Sequence, residues 1–262
     1  MRYAETMDKS MTKSKTENVQ QLTALPPNVG YTTGSLKHII SFSGGKDSTA
    51  MLLKMSEMKM PIDEVIFCDV GLEFPQMYEH IDSVEKYLGI KITKVRDPKG
   101  FEFYLEKYGW ANFKFRWCTT TLKLQHKKKY LKKYPNRIEY LGIAFDEKER
   151  TEKEHHKKFH NLCYPLIEWQ MSERDCLQYC YERGFNWDGL YEKFRRVSCF
   201  CCPLKGMDEY YNLYKFYPDL WNELKRLDKL SEKQFRFNLS VNDMEINFEY
   251  KGGQVSLFEP VL

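Results

Sequence analysis

Two hydrophobic rhythms alternate between Leu36 and Phe145. Short, near-continuous apolar runs read as strands: HIISF (38–42), EVIFCDV (64–70) and RIEYLGIAF (137–145), with IKITKV (90–95) alternating as a further one. Between them lie longer segments whose apolar residues recur every three or four positions. DSTAMLLKMSEM (47–58) sets Met51, Met55 and Met58 on one helical face. FPQMYEHIDSVEKYLG (74–89) carries a Met77, Ile81, Val84, Leu88 stripe, with Pro75 suited to its first turn and Gly89 to its end. Strands of the buried type alternating with helices predict an α/β fold, a doubly wound, mostly parallel sheet with helices on both faces. Ligands of such sheets bind beyond the carboxyl ends of the strands. Ser43–Ser48, Asp69 and Asp146–Arg150 all fall there.

The pattern changes outside that region. Residues 1–34 are polar and without sustained periodicity, which predicts a disordered arm. SERDCLQYCYERG (172–184) reads as a helix capped by Ser172 and stopped by Gly184. A cysteine-rich knot, SCFCCP (198–203), closes a domain spanning 35–205. The aromatic, charged stretch 206–250 predicts a helical C-terminal extension, and 251–262 a tail.

Composition sets limits. At 42% hydrophobic and 15% aromatic residues the chain can bury a substantial core, and its net charge of +4 permits an anionic partner without requiring one. No apolar run approaches the roughly 18 residues of a membrane span, and the first residues have no apolar signal region. The expected location is cytoplasmic, where thiols stay reduced. Among the eight cysteines, the clustered ones then read as metal or cluster ligands rather than disulfides.

The richest local signal is Ser43-Gly44-Gly45-Lys46-Asp47-Ser48, a glycine turn between a strand and a helix. It lacks the Walker A spacing and the dinucleotide Gly-x-Gly-x-x-Gly. The layout nevertheless suits an anion. The glycines allow backbone N–H groups to converge, the helix aims its positive end at the same point, and Ser43, Ser48 and Lys46 add donors and charge.

This turn resembles the PP-loop, the pyrophosphate-binding loop of N-type ATP pyrophosphatases and their relatives. Four further blocks, in order, resemble the phosphoadenosine phosphosulfate (PAPS) reductase family: CDVGLEFPQM (68–77), RWCTTTLK (116–123), GIAFDEKER (142–150), and YPLIEW (164–169) with LYEKFRRVSCFCCP (190–203). The resemblance covers about 36–205 and implies an adenine nucleotide alpha hydrolase-like fold. It implies that Ser43, Gly44, Gly45, Lys46, Asp47 and Ser48 hold the phosphates of ATP or of a PAPS- or adenylyl-sulfate-type nucleotide. Asp69 would lie near the nucleotide or a magnesium ion, with a turn cap as its alternative role, and Gly71 would let the backbone pass the adenine or ribose. Glu147 belongs to the same site, Arg150 would fork onto phosphate or sulfate, and Lys123 would meet the substrate's anionic end. Lys46, Asp47, Lys123 and Arg150 form the expected catalytic set.

Members of the family with extra cysteines often carry a four-iron cluster. By that resemblance Cys118, Cys199 and Cys202 are ligands of an iron–sulfur cluster, or alternatively of zinc, and Cys201 is the fourth, with Cys163 next. The chain departs from the usual pattern at Trp117, where a second cysteine would precede Cys118. Cys176 and Cys180, at i, i+4 on a helix, and Cys68 in a strand read as core. Thioredoxin-dependent PAPS reductases use a C-terminal Glu-Cys-Gly cysteine, and no cysteine follows Cys202 here.

The basic run KLQHKKKYLKKYPNR (123–137) reads as a solvated helix face with Leu124, Tyr130, Leu131 and Tyr134 inward, or as an attractor of nucleic acid. QVSLF (Gln254–Phe258) resembles the peptide that docks bacterial proteins on the DNA polymerase sliding clamp. The expected activity is ATP-dependent adenylylation followed by sulfur transfer, with nucleic acid as a candidate substrate. Its rivals are reduction of PAPS or adenylyl sulfate to sulfite, and a nucleotide-binding regulator or mobile-element accessory protein without turnover.

Overall fold

In the computed structural model of this chain, residues 35–153, 161–236 and 238–256 are described, the last six by their backbone alone. The first strand, β1 (Lys37–Phe42), leads through the glycine turn into α1 (Lys46–Glu57). Then come β2 (Glu64–Cys68), α2 (Pro75–Leu88), β3 (Ile92–Val95) and α3 (Gly100–Tyr108). A π-helical segment (Cys118–Gln125) runs into α4 (His126–Leu131) and β4 (Arg137–Leu141). A 3-10 stretch (Phe145–Glu152) precedes β5 (Leu162–Cys163), α5 (Pro165–Glu168) and α6 (Glu173–Tyr181). After α7 (Leu190–Lys193) the extension consists of α8 (Met207–Phe216), α9 (Pro218–Asp228) and α10 (Val241–Ser256).

The five strands pair in the order β3-β2-β1-β4-β5, all parallel. The chain moves outward from β1 to β2 and β3, then returns to the other side of β1 as β4. The carboxyl ends of β1 and β4 therefore flank the point where the strand order reverses, which is where sheets of this kind open a crevice. Two strands stop earlier than the apolar runs suggest. β2 ends at Cys68 because Asp69 and Gly71, with φ +80°, turn the chain away. β4 ends at Leu141, and Gly142 backs directly onto the first turn of α1.

The helix ends follow their local chemistry. Gly89 closes α2 in the left-handed region, and Ser172 caps α6 in a reciprocal box with Asp175. Cys176 and Cys180 are fully buried, as their spacing implies. Cys68 is only half-buried, and its thiol points at the Lys123 carbonyl at 3.8 Å rather than into the core. Residues 1–34 and the clamp-like peptide's Leu257 and Phe258 lie outside the described residues, and α10 runs through Gly252, Gly253 and Gln254 to Ser256. No described helix is long and apolar enough to cross a membrane.

One buried titratable group underlies the glycine turn. His80 on α2 stacks on Trp187 at 4.2 Å and meets Thr49 Oγ1 through Nε2 at 3.0 Å. Burial lowers its pKa to about 3. The neutral ring is thus the folded form, and its stabilisation is present above pH 6.5 and lost as pH falls from 6.5 toward 3, an effect on the order of 4–5 kcal/mol. Urea unfolding of His80→Gln should accordingly lose less stability over that interval than the wild type. Parallel acid limbs would show that His80 does not control it.

Candidate functional site

The turn after β1 is built by sterics. Gly44 holds φ +77°, and a Cβ there would stand 2.6 Å from Met77 Sδ, so a side chain is excluded twice. Ser48 Oγ ties the turn together: it accepts from the Ser43 N–H at 3.1 Å, meets Ser43 Oγ at 3.0 Å and donates to the Gly45 carbonyl at 3.0 Å. Ser43 and Ser48 therefore shape the cradle as well as lining it.

The other side of the cradle comes from residues far along the chain. Trp187 Nε1 donates to the Gly44 carbonyl at 2.8 Å, and the Lys46 N–H donates to the Tyr191 hydroxyl at 2.7 Å. Trp187 and Asp188 both adopt left-handed backbone, φ 51° and 49°, which costs a bulky residue on the order of 1–3 kcal/mol. The strained turn sets the indole under Gly44. The Tyr191 hydroxyl occupies a backbone donor at a helix N-terminus, where an anion's oxygen would otherwise bind.

Lys46 is surrounded by carboxylates. Its Nζ lies 2.5 Å from Glu173 Oε2 and 3.6 Å from Asp47 Oδ2. Burial works against the ammonium, but Asp47 and Glu173 more than offset it and hold its pKa above the usual value. For Asp47, burial is the largest influence and raises the carboxyl to about 6. Lys46 pulls it down, and Glu173 and Glu147 push it further up. Asp47 Oδ1 is buried and has no hydrogen-bond partner among the described residues. An acid with a raised folded pKa destabilises the fold once ionised, so wild-type stability should decline as pH rises from about 4 to 6. Asp47→Asn should abolish that decline, a difference of about 3 kcal/mol above pH 6, read from thermal melts across the interval. Equal melting of variant and wild type at pH 7 would refute it.

The 3-10 stretch after β4 brings Asp146, Glu147 and Arg150 to the same edge. Asp146 accepts from the Glu173 N–H at 3.1 Å, fixing the start of α6. Arg150 pairs with Glu147, which also takes Arg196 at 3.4 Å.

The cysteines gather at the carboxyl end of β2. The Phe200 N–H donates to the Leu72 carbonyl at 3.0 Å, which pins the 199–202 segment to the loop after β2. Between them sits Glu73, buried, with Oε1 3.6 Å from both Cys199 Sγ and Lys123 Nζ. The π-helical segment explains how Lys123 arrives there. Its hydrogen bonds run five residues back, so Cys118 and Lys123 come onto one face, which an α-helix would splay apart. Each lies within electrostatic range of the other. Burial raises the thiols of Cys118 and Cys199; Cys202 adds to the rise at both, and Cys118 to that of Cys199. Cys201 is in the core, facing Cys199 and Cys202, while Cys163 lies on β5 beside Glu168. Among the described residues, no three donors converge as a ready metal-ligand group.

Residues 37–205, more than half of the chain, match the family described as the phosphoadenosine phosphosulfate reductase domain. The chain belongs to that family. It is 31% and 30% identical to two uncharacterised proteins of Methanocaldococcus jannaschii, over 71% and 70% of its length. It is 26% identical to an uncharacterised nin-region protein of Escherichia phage lambda over 43% of its length. It spans 40%, 45% and 50% of these three relatives' own lengths. Among solved structures it is similar to a phosphoadenylyl-sulfate reductase from Candida auris (TM-score 0.47, 15% identity, 70% of this chain and 91% of that one). Another is the U34-tRNA thiolase NcsA of Methanococcus maripaludis with its [4Fe-4S] cluster (0.45, 15%, 92% and 81%).

Within the PAPS reductase frame, Asp69 has a structural task. Its Oδ1 accepts from the Gly71 N–H at 2.7 Å and the Tyr78 hydroxyl at 2.8 Å, and Arg96 lies 3.9 Å from Oδ2. A Cβ on Gly71 would strike the Arg96 guanidinium. Glu73, Glu173, Trp187 and Tyr191 carry the site beside the residues expected from sequence. Glu73 lay within a quoted motif, between Gly71 and Pro75. The other three meet the turn only through tertiary contacts.

Proposed function

We propose that this chain binds ATP in the Ser43–Ser48 turn, transfers its adenylyl group to an acceptor oxygen with loss of pyrophosphate, and lets sulfide delivered beside the thiols near Glu73 displace AMP, so that a carbon–sulfur bond forms as the activated carbon–oxygen bond breaks. The observation that carries the reading is Asp47. Its partnerless Oδ1 stands beside Lys46, with Glu147 and Glu173 as acidic neighbours. A single hard carboxylate oxygen, completed by the phosphate oxygens of a bound nucleotide, fits magnesium, which accompanies a triphosphate. Reduction of PAPS splits no pyrophosphate and would leave this arrangement without a task.

The chain's own groups have definite work. Lys46 would exchange Glu173 for phosphate oxygens, and Tyr191 would release the Lys46 N–H to the same anion. The helix N-terminus and Lys46 would stabilise charge on the departing pyrophosphate. Magnesium at Asp47 would neutralise part of that charge. Lys123, held by Glu73, would orient an anionic group near Cys199. Cys118, Cys199 and Cys202 are the residues that would hold an iron–sulfur cluster or zinc. Their donor chemistry suits either group, which would supply a site for sulfur beside the nucleotide.

Product identity tests the reading. With ATP, Mg2+, a sulfide donor and total cellular nucleic acid, AMP and pyrophosphate should accumulate together. Sulfite formed from PAPS, with no AMP from ATP, would replace it with the reductase alternative.

A further inference from the structure

The turn Asn112–Arg116 places aromatic rings in water on a rigid support. Phe113 is 85% exposed and Phe115 49%. The turn does not flop: Asn112 Oδ1 accepts from the N–H groups of Lys114 and Phe115, both at 2.9 Å, and the Asn112 N–H donates to the Phe115 carbonyl. Phe115 packs edge-on to Tyr108 at 5.8 Å. After the turn, Trp117 is buried, packs tilted against Phe101 at 5.0 Å and donates to the Gly109 carbonyl at 2.9 Å. This platform is therefore fixed relative to Cys118.

Exposed basic residues follow the turn in the chain. Lys114, Arg116, Lys128, Lys129 and Lys132 are exposed, and none forms an ion pair with a described residue. Arg116 lies within electrostatic range of Cys118. The sequence pattern places Leu124 inward, but it is 53% exposed. The wide π-turns rotate it out, near Lys128 one turn on. Exposed rings are thus followed along the chain by exposed cations that form no ion pair with a described residue.

We propose that this face binds an unpaired, single-stranded stretch of RNA, with bases stacked on Phe113 and Phe115 and phosphates along Arg116, Lys128, Lys129 and Lys132. Exposed rings accept bases only when these are unpaired, and the row of cations supplies the complementary charge. RNA presents such bases in its loops, whereas those of DNA must first be unstacked from a duplex. Service of the bound RNA as the acceptor rests on the function proposed above; the binding itself does not.

The test is fluorescence anisotropy with a labelled, unstructured RNA of about 20 nucleotides, without nucleotide present, on the full chain. The wild type should bind. Phe113→Ala with Phe115→Ala should weaken binding roughly ten-fold or more at unchanged circular dichroism. Lys128→Ala with Lys129→Ala should reduce the slope of log affinity against log salt by about 1.4. Wild-type affinity in both variants would overturn the proposal, as would equal binding of duplex RNA or of single-stranded DNA. A wild type that binds Mg-ATP but not the RNA would remove this surface and leave the nucleotide site standing. The converse would remove the nucleotide site and leave this surface.

Discussion

Lys46→Ala is expected to lower pyrophosphate release by a factor on the order of 100–1000, the usual effect of removing one preorganised donor to developing charge. Lys46 is the cation at the N-terminus of α1, and two carboxylates hold it there within 3.6 Å. Without it, Asp47 and Glu173 face each other and Glu147 with no counter-charge, so Asp47 should retain its proton to a still higher pH. Two readouts thus move together: turnover falls, and the Asp47 titration, followed by carboxyl NMR shifts, moves upward from about 6. A Lys46→Arg variant keeps the charge and should keep the titration near its wild-type position. Undiminished turnover in Lys46→Ala would remove the lysine from the chemistry.

The second large effect is structural. A Cβ at Gly142 would stand 2.8 Å from both the N and Cα of Ser48 and 3.0 Å from the Asp47 carbonyl carbon. These are backbone atoms of the first turn of α1 and cannot swing aside as a side-chain tip does. Gly142→Ala should therefore push the carboxyl end of β4 away from α1 at the crevice. The expected cost is about 1–3 kcal/mol, the range for overpacked interiors. That corresponds to a melting point lower by roughly 2–10 °C. Nucleotide affinity should fall with it, because the same turn carries Lys46 and Ser48. Gly45→Ala makes the comparison. Gly45 has φ −78°, and its added Cβ would meet only Ser43 Oγ and the Tyr191 hydroxyl, the nearest at 3.3 Å, so its melting point should change less. Equal melting of Gly142→Ala and wild type would show that the approach at Gly142 is not a constraint.

The sheet and its crevice were legible because buried strands and amphipathic helices carry different periods, and the glycine turn because its neighbours are local. Ser43–Ser48, Asp69 and Asp146–Arg150 reach the carboxyl edge as the strand pattern requires. Local pattern does not reveal a π-helix, so the reason for a Cys118-to-Lys123 spacing of five stayed hidden, and Leu124 was assigned the wrong side. Glu73 stood inside a legible block, but its burial against Cys199 and Lys123 depends on a segment more than 120 residues away. Trp187 and Tyr191 join the turn from more than 140 residues along the chain; Tyr191 stands inside the 190–203 block, but its bond to the Lys46 N–H is a tertiary contact no local pattern shows, and nothing in the neighbourhood of Trp187 marks it. Cys201 and Cys202 are adjacent, and sequence alone could not separate the one that enters the core from the one that faces Cys118.

The measurement that bears most directly on the central claim is calorimetric titration of the full chain with ATP and with PAPS, each with and without Mg2+, repeated on Lys46→Ala. The account predicts that ATP binds more tightly with Mg2+ than without it, that this enhancement exceeds any seen with PAPS, and that Lys46→Ala weakens ATP binding strongly. PAPS binding independent of Mg2+, together with no heat from Mg-ATP or with Mg-ATP binding unchanged in Lys46→Ala, would contradict it.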